Sequence, residues 1–202
     1  MKKILLFFYI ITLISCNENK IKEQIEKAIS TPFTNPPKLD VFNNVVQLET
    51  ILTNKSTLKF TTWTKGNRWW SAHTPINLFG NHSMDNEYQN DLGFQIFGAE
   101  ENYVNEIQLV LNISNLKEKK EALNHLAIFA EQTLFKLDIA IPDNLKIEIL
   151  NDNQYFFENE FYYILLKKEN RVENNQNMSG ISELKLDEIV AIETRKLIIK
   201  SK

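Results

Sequence analysis

The sequence predicts an α+β domain whose mostly antiparallel sheet of about five to six strands is covered on one face by a long helix. Two neighbouring segments carry this prediction. Residues 103–113 alternate apolar and polar side chains, which is the pattern of a strand with one buried face. In residues 116–137 the apolar side chains fall within roughly a 160° arc at 100° per residue, as in a helix packed on a core. Because runs of strands surround this helix, α+β is favoured over a regular alternation of strands and helices.

Four further segments precede the long helix. Residues 40–52 favour a helix, although their β-branched content keeps a strand open as an alternative. Residues 57–72 alternate around Gly66 and predict a hairpin. Residues 73–91 show no sustained period and are predicted as a loop. Residues 93–113 then predict a second hairpin, which includes the alternating strand described above.

Shorter elements follow the long helix. Pro142 can occupy the first turn of a short helix that continues to Leu150. The segment 161–168 is apolar on both sides of its pleat, so we expect a central strand. Residues 169–180 predict a polar loop. Residues 181–192 predict a last strand, with a short helix from Asp187 as the alternative.

The N-terminus has the pattern of a secretory signal, with a buried helix that contains a chance cysteine as the alternative. Lys2 and Lys3 precede an apolar run from Ile4 to Ile14, which is too short to cross a bilayer as a helix. Leu13-Ile14-Ser15-Cys16 resembles the lipobox of bacterial lipoproteins. The resemblance covers residues 1–16 only, and it implies cleavage before Cys16 and attachment of diacylglycerol and a fatty acid such as palmitate to that residue. Two or more acyl chains hold a protein stably at a membrane.

The resemblance and the composition together divide the chain into three parts. Residues 1–15 are the expected signal peptide, and residues 16–39 are a lipid-anchored helix followed by a spacer with three prolines in residues 30–38. Residues 40–202 are the expected single α+β domain. The anchor implies a bacterial cell envelope location, with the domain tethered to a membrane through Cys16.

The charge balance argues against a nucleic-acid-binding protein. The chain has 23 Lys and Arg and 26 Asp and Glu, and residues 1–15 hold two of the lysines and no acid. The remaining chain therefore has 21 minus 26, or a formal charge of −5. Since nucleic-acid binding depends on neutralising phosphates with Lys and Arg, we expect no nucleic-acid partner.

The predicted loop at residues 73–91 contains the sharpest candidate for chemistry. His73, His82, Asp85 and Glu87 fall within fifteen residues of one another, and imidazole and carboxylate groups are ligands for zinc and similar ions. Their spacing matches no metal signature, and two histidines often occur by chance in a polar loop. They remain weak metal candidates, and we expect neither a metal nor another cofactor.

Four apolar side chains are candidates for contact with a partner. Trp69 and Trp70 are adjacent in a predicted strand, so they must point to opposite faces, and one of them lies away from the first core face. Ile128 and Phe135 lie outside the apolar arc of the long helix. Either residues 40–52 cover them or they form an exposed patch. Core packing is the alternative for each tryptophan.

These patterns favour binding over catalysis, because an aromatic surplus is evident and a nucleophile with its base is not. We expect a membrane-anchored lipoprotein whose domain is an interaction module for a protein partner, such as an envelope factor or a toxin-protective protein. One alternative is a glycan-binding module that uses Trp69 or Trp70. The other is a metal-dependent hydrolase that uses the His73–Glu87 loop.

Overall fold

The computed structural model describes residues 40–53, 59–75, 77–79, 89–172 and 191–202. The helices in these residues are α1 (Val45–Thr53), α2 (Lys119–Lys136) and α3 (Leu145–Leu150), and 3-10 turns at Asp40–Asn43 and Leu116–Glu118 precede the first two. The strands are β1 (Thr64–Lys65), β2 (Trp70–His73), β3 (Asn77–Phe79), β4 (Asn90–Gly98), β5 (Glu106–Ile113), β6 (Tyr155–Glu158), β7 (Tyr162–Val172) and β8 (Ala191–Ser201).

The strands form one sheet in the order β1-β2-β4-β5-β8-β7-β6, and β3 also pairs with β4. All pairings are antiparallel. The predicted α+β class with an antiparallel sheet is therefore confirmed, although the eight described strands exceed the expected five to six. Both predicted hairpins are present, as β1–β2 and β4–β5.

One face of the sheet packs against the helices. Alternate residues of β5 from Ile107 to Ile113 are at most 2% exposed, as their period of two predicts. Their register partners in β8 include Ile199 and Leu197, which are buried in the same core cluster. Leu126 of α2 is fully buried in that cluster. The apolar side of the helix and the alternating strand therefore meet as the sequence predicts.

The helices begin where the sequence provides a start signal. The Asn115 side chain accepts a hydrogen bond from the Lys117 N–H at 3.2 Å, so it caps the 3-10 turn before α2. The α-helical part is Lys119–Lys136, slightly shorter than the predicted 116–137. Pro142 precedes α3, and its carbonyl accepts from the Leu145 N–H. Residues 45–53 are helical, so the strand alternative for this segment is wrong.

Of two other predictions, one is wrong in part and the other is tested only in part. Residues 77–79 of the predicted loop form β3 and pair with β4. The last strand is β8 at 191–201, so it overlaps the predicted 181–192 by two residues; residues 181–190 lie outside the described residues. The sequence of β8 has no clear strand pattern because it carries Glu193, Arg195 and Lys200. Charged residues are seldom buried without a partner, so they do not indicate a buried strand.

The second face of the sheet has its own small core. Leu165 and Ile198 are register partners in β7 and β8, and they form a cluster with Phe156 and Tyr163. This cluster contains no residue of the described helices. The predicted central strand at 161–168 is confirmed as β7. Its apolar side chains pack on both faces of the sheet, which explains why the segment lacks a polar side.

Candidate partner-binding surface

The two adjacent tryptophans of the first hairpin have different environments. Trp70 begins β2 opposite Gly98 and stacks on Trp63, with 6.3 Å between the ring centroids and 18° between the ring planes. The Trp63 indole N–H donates to the Glu101 carbonyl at 2.7 Å. Trp69 is 43% exposed. Of the two predicted candidates, Trp70 therefore contributes to packing and Trp69 faces solvent.

Gly98 explains why this aromatic pair fits here. A Cβ atom at residue 98 would lie 2.0 Å from the Tyr103 carbonyl oxygen and 3.0 Å from Cζ2 of Trp63. Only glycine leaves room for both the backbone and the indole ring. The Trp63–Trp70 pair therefore holds the hairpin against the end of β4.

Ile128 and Phe135 of α2 are both exposed, at 38% and 79%. They are seven residues apart, which places them about 10.5 Å apart along the helix axis on the outward side. Since α1 does not bury them, the alternative in which residues 40–52 cover these side chains is wrong. Of the two alternatives, an exposed position for both side chains is the one observed.

The short helix α3 carries two more exposed apolar side chains. Ile147 and Leu150 of α3 are exposed, and Lys146 Nζ lies 3.0 Å from Glu131 Oε2 of α2. Glu131 lies between Ile128 and Phe135 in the sequence of α2. The ion pair therefore ties together the two helices that present these four side chains. We call Ile128, Phe135, Ile147 and Leu150 the helical patch.

Most of the exposed large apolar side chains among the described residues lie in the helical region. Eight large apolar side chains are exposed in the described part of the chain, and six of them lie between residues 116 and 150. These six are Leu116, Ile128, Phe135, Ile141, Ile147 and Leu150. The other two, Val46 and Trp69, are on α1 and the first hairpin. The helical layer is therefore a better candidate for partner contact than the hairpin.

Sequence reasoning missed Ile147 and Leu150 because α3 has only six residues. The signal was nevertheless present. Leu145 and Ile149 are four residues apart, and both are buried. In a helix this spacing fixes the inward side, so the two other apolar residues of α3 are left to face outward.

A cluster of five charged side chains lies where α2, α3, β7 and β8 meet. Asp152 follows α3 with φ of 54° and accepts hydrogen bonds from Arg195 Nε at 2.5 Å and Arg195 Nη2 at 3.0 Å. Arg195 Nη2 also donates to Glu193 at 2.6 Å. Lys119 contacts both carboxylates, at 2.9 and 2.7 Å. Lys168 is 3.6 Å from Asp152.

The ion pairs of this cluster outweigh the burial of its carboxylates. Burial by itself raises the pKa of Asp152, but hydrogen bonds from Arg195 and Lys119 and the positive charges of Arg195 and Lys168 hold that pKa well below its usual range. A hydrogen bond from Lys119 is the main reason why the pKa of Glu193 is also lowered. Each of the five side chains contacts an opposite charge within the cluster. The cluster therefore links the end of α3 to the sheet. No local pattern indicates this cluster, because its members are distant in the chain.

Of the four metal candidates in the predicted loop, only His73 lies among the described residues. His73 is an exposed residue of β2 whose Nδ1 lies 3.4 Å from Thr61 Oγ1. His82, Asp85 and Glu87 lie outside the described residues, as does Cys16. In the part of the chain that the structure describes, no three His, Cys, Asp or Glu side chains are grouped to hold a metal ion.

Comparison of the chain with protein-family models, curated proteins and solved structures gives no significant match. Among the described helices, none has the length and apolar character needed to span a membrane. The exposed side chains and the N-terminal sequence are therefore the basis for a functional assignment.

Proposed function

We propose that this chain is a lipid-anchored protein of the bacterial cell envelope that binds a protein partner through the helical patch. The observation that carries the proposal is the concentration of exposed large apolar side chains on α2 and α3. Exposed apolar surface is costly in water, and a concentration of it often marks a site of contact. No cofactor or nucleic acid is part of this proposal.

The size of the helical patch favours a modest interface. Four side chains present at most a few hundred Å², which is the size of the largest patch on a typical monomer and is often functional. A standard stable interface buries about 800 Å² on each partner. The patch is therefore suited to a weak or transient partner, with Phe135 as its main anchor, because aromatic side chains dominate such contacts.

The geometry of the described residues gives little support to catalysis. One hydroxyl and one imidazole approach each other at Thr61 and His73, where Oγ1 lies 3.4 Å from Nδ1, and both side chains are exposed. A catalytic base is normally held about 2.6–3.2 Å from its nucleophile and oriented by a third group. The described residues around His73 show no such carboxylate, so we propose a binding protein rather than an enzyme.

Membrane capture tests the role of the helical patch. The tagged full-length chain would be isolated from native membranes after mild crosslinking, with a Phe135→Ser, Ile147→Ser variant beside the wild type. Val46→Ser is the matched control, because Val46 is 73% exposed and lies on α1, outside the patch. Both variants change exposed residues, so each substitution should change the free energy of unfolding by no more than about 0.5 kcal/mol.

The expected result is that the patch variant retains at most one tenth of the specifically captured protein, while Val46→Ser retains it. A tenfold loss corresponds to about 1.4 kcal/mol, within the usual effect of removing interface anchors. Equal capture by all three chains would overturn the proposal. Equal loss in both variants would show that any exposed apolar side chain promotes capture, and it would also count against a defined site.

The anchor is tested separately by metabolic labelling. Cys16 is the only cysteine of the chain, and the lipobox-like residues before it support lipidation at this position. Growth with radioactive palmitate should label the wild type but not Cys16→Ala, and only the wild type should be cleaved before residue 16. Unlabelled wild-type protein with an intact N-terminus would contradict the envelope assignment and leave the patch unaffected.

A glycan-binding module remains the second candidate, and the exposure of Trp69 favours it. An exposed indole ring can stack on the C–H face of a sugar, because both faces of the ring are apolar and electron-rich. Fluorescence quenching by oligosaccharides that is present in the wild type and absent in Trp69→Phe would support this function over protein binding.

A further inference from the structure

We draw no further inference here: the strongest candidate, the face of the sheet away from the described helices, where Leu165, Ile198 and Lys200 are buried, carries none because nothing in the described residues shows what covers it.

Discussion

Replacing Asp152 with asparagine should destabilise the fold by about 3 kcal/mol at pH 7. The substitution keeps the shape of the side chain but removes the charge that faces Arg195, whose side chain is only 4% exposed. Removing one partner of a buried ion pair costs about 3–5 kcal/mol. We expect the lower end because Glu193 still contacts Arg195. Asparagine tolerates a positive φ, so backbone strain at residue 152 should not add to the loss.

Glu169→Gln is the matched control for this substitution. Glu169 also contacts two cations, with Lys167 Nζ and Lys196 Nζ each 2.8 Å away. Both of these lysines are partly exposed, and ion pairs that water can reach contribute about 0–1 kcal/mol. Urea denaturation of the chain from residue 17 onward, followed by tryptophan fluorescence, would give the two free energies of unfolding. Equal losses in the two variants would refute the argument that burial of Arg195 sets the cost.

The pH dependence gives a second test of the same cluster. The pKa of Asp152 is lowered in the folded state, so its stabilisation is present above the unfolded pKa of about 4. It is lost as the pH falls through the lower folded pKa. The difference between the wild type and Asp152→Asn should therefore be constant from pH 5 to pH 7 and smaller at pH 3. A difference that is unchanged at pH 3 would show that the carboxylate charge is not its source.

Two further predictions concern the core and the first hairpin. Leu126→Ala should lower the free energy of unfolding by about 2–5 kcal/mol because Leu126 is fully buried. His125→Ala, at a partly exposed position, should lower it by less than about 1 kcal/mol. Similar shifts in the urea midpoint for the two variants would mean that the phase of α2 is wrong. Trp70→Ala should cost about 2–3 kcal/mol, less than the usual value for a fully buried aromatic because Trp70 is half-buried. Trp69→Ala should cost less than about 1 kcal/mol, and an equal loss for both tryptophans in the same assay would contradict the difference in their environments.

The parts of the fold with a clear hydrophobic period were predictable from sequence. β5 and α2 follow periods of two and 3.6, and both were placed within a few residues of their actual bounds. β8 lacks such a pattern because Arg195 is buried beside Asp152, which is 43 residues away. A side chain that is stabilised by a distant partner gives no local signal, so its strand is recognised only after the sheet is assembled.

The same distinction applies to the candidate surface. The exposure of Ile128 and Phe135 follows from the phase of a long helix, and the difference between Trp69 and Trp70 follows from their adjacency. The contribution of α3 depends on how this helix lies against α2. The Lys146–Glu131 ion pair connects the two helices in that arrangement. The hydrophobic pattern of a six-residue helix is too short to predict it.

The position of β8 in the sheet has a consequence for how the chain folds. β8 is the last of the described strands along the chain, yet it lies between β5 and β7 and pairs along its length with both. Ser201 donates to the carbonyl of Asn105, 96 residues earlier. Among the described strands, only β8 joins β4–β5 to β6–β7. Assembly of the complete sheet therefore depends on long-range strand pairing, which is typically slow. A nonsense mutation before residue 191 would leave two unjoined half-sheets with exposed edges, which is a substrate for proteolysis rather than a shortened working protein.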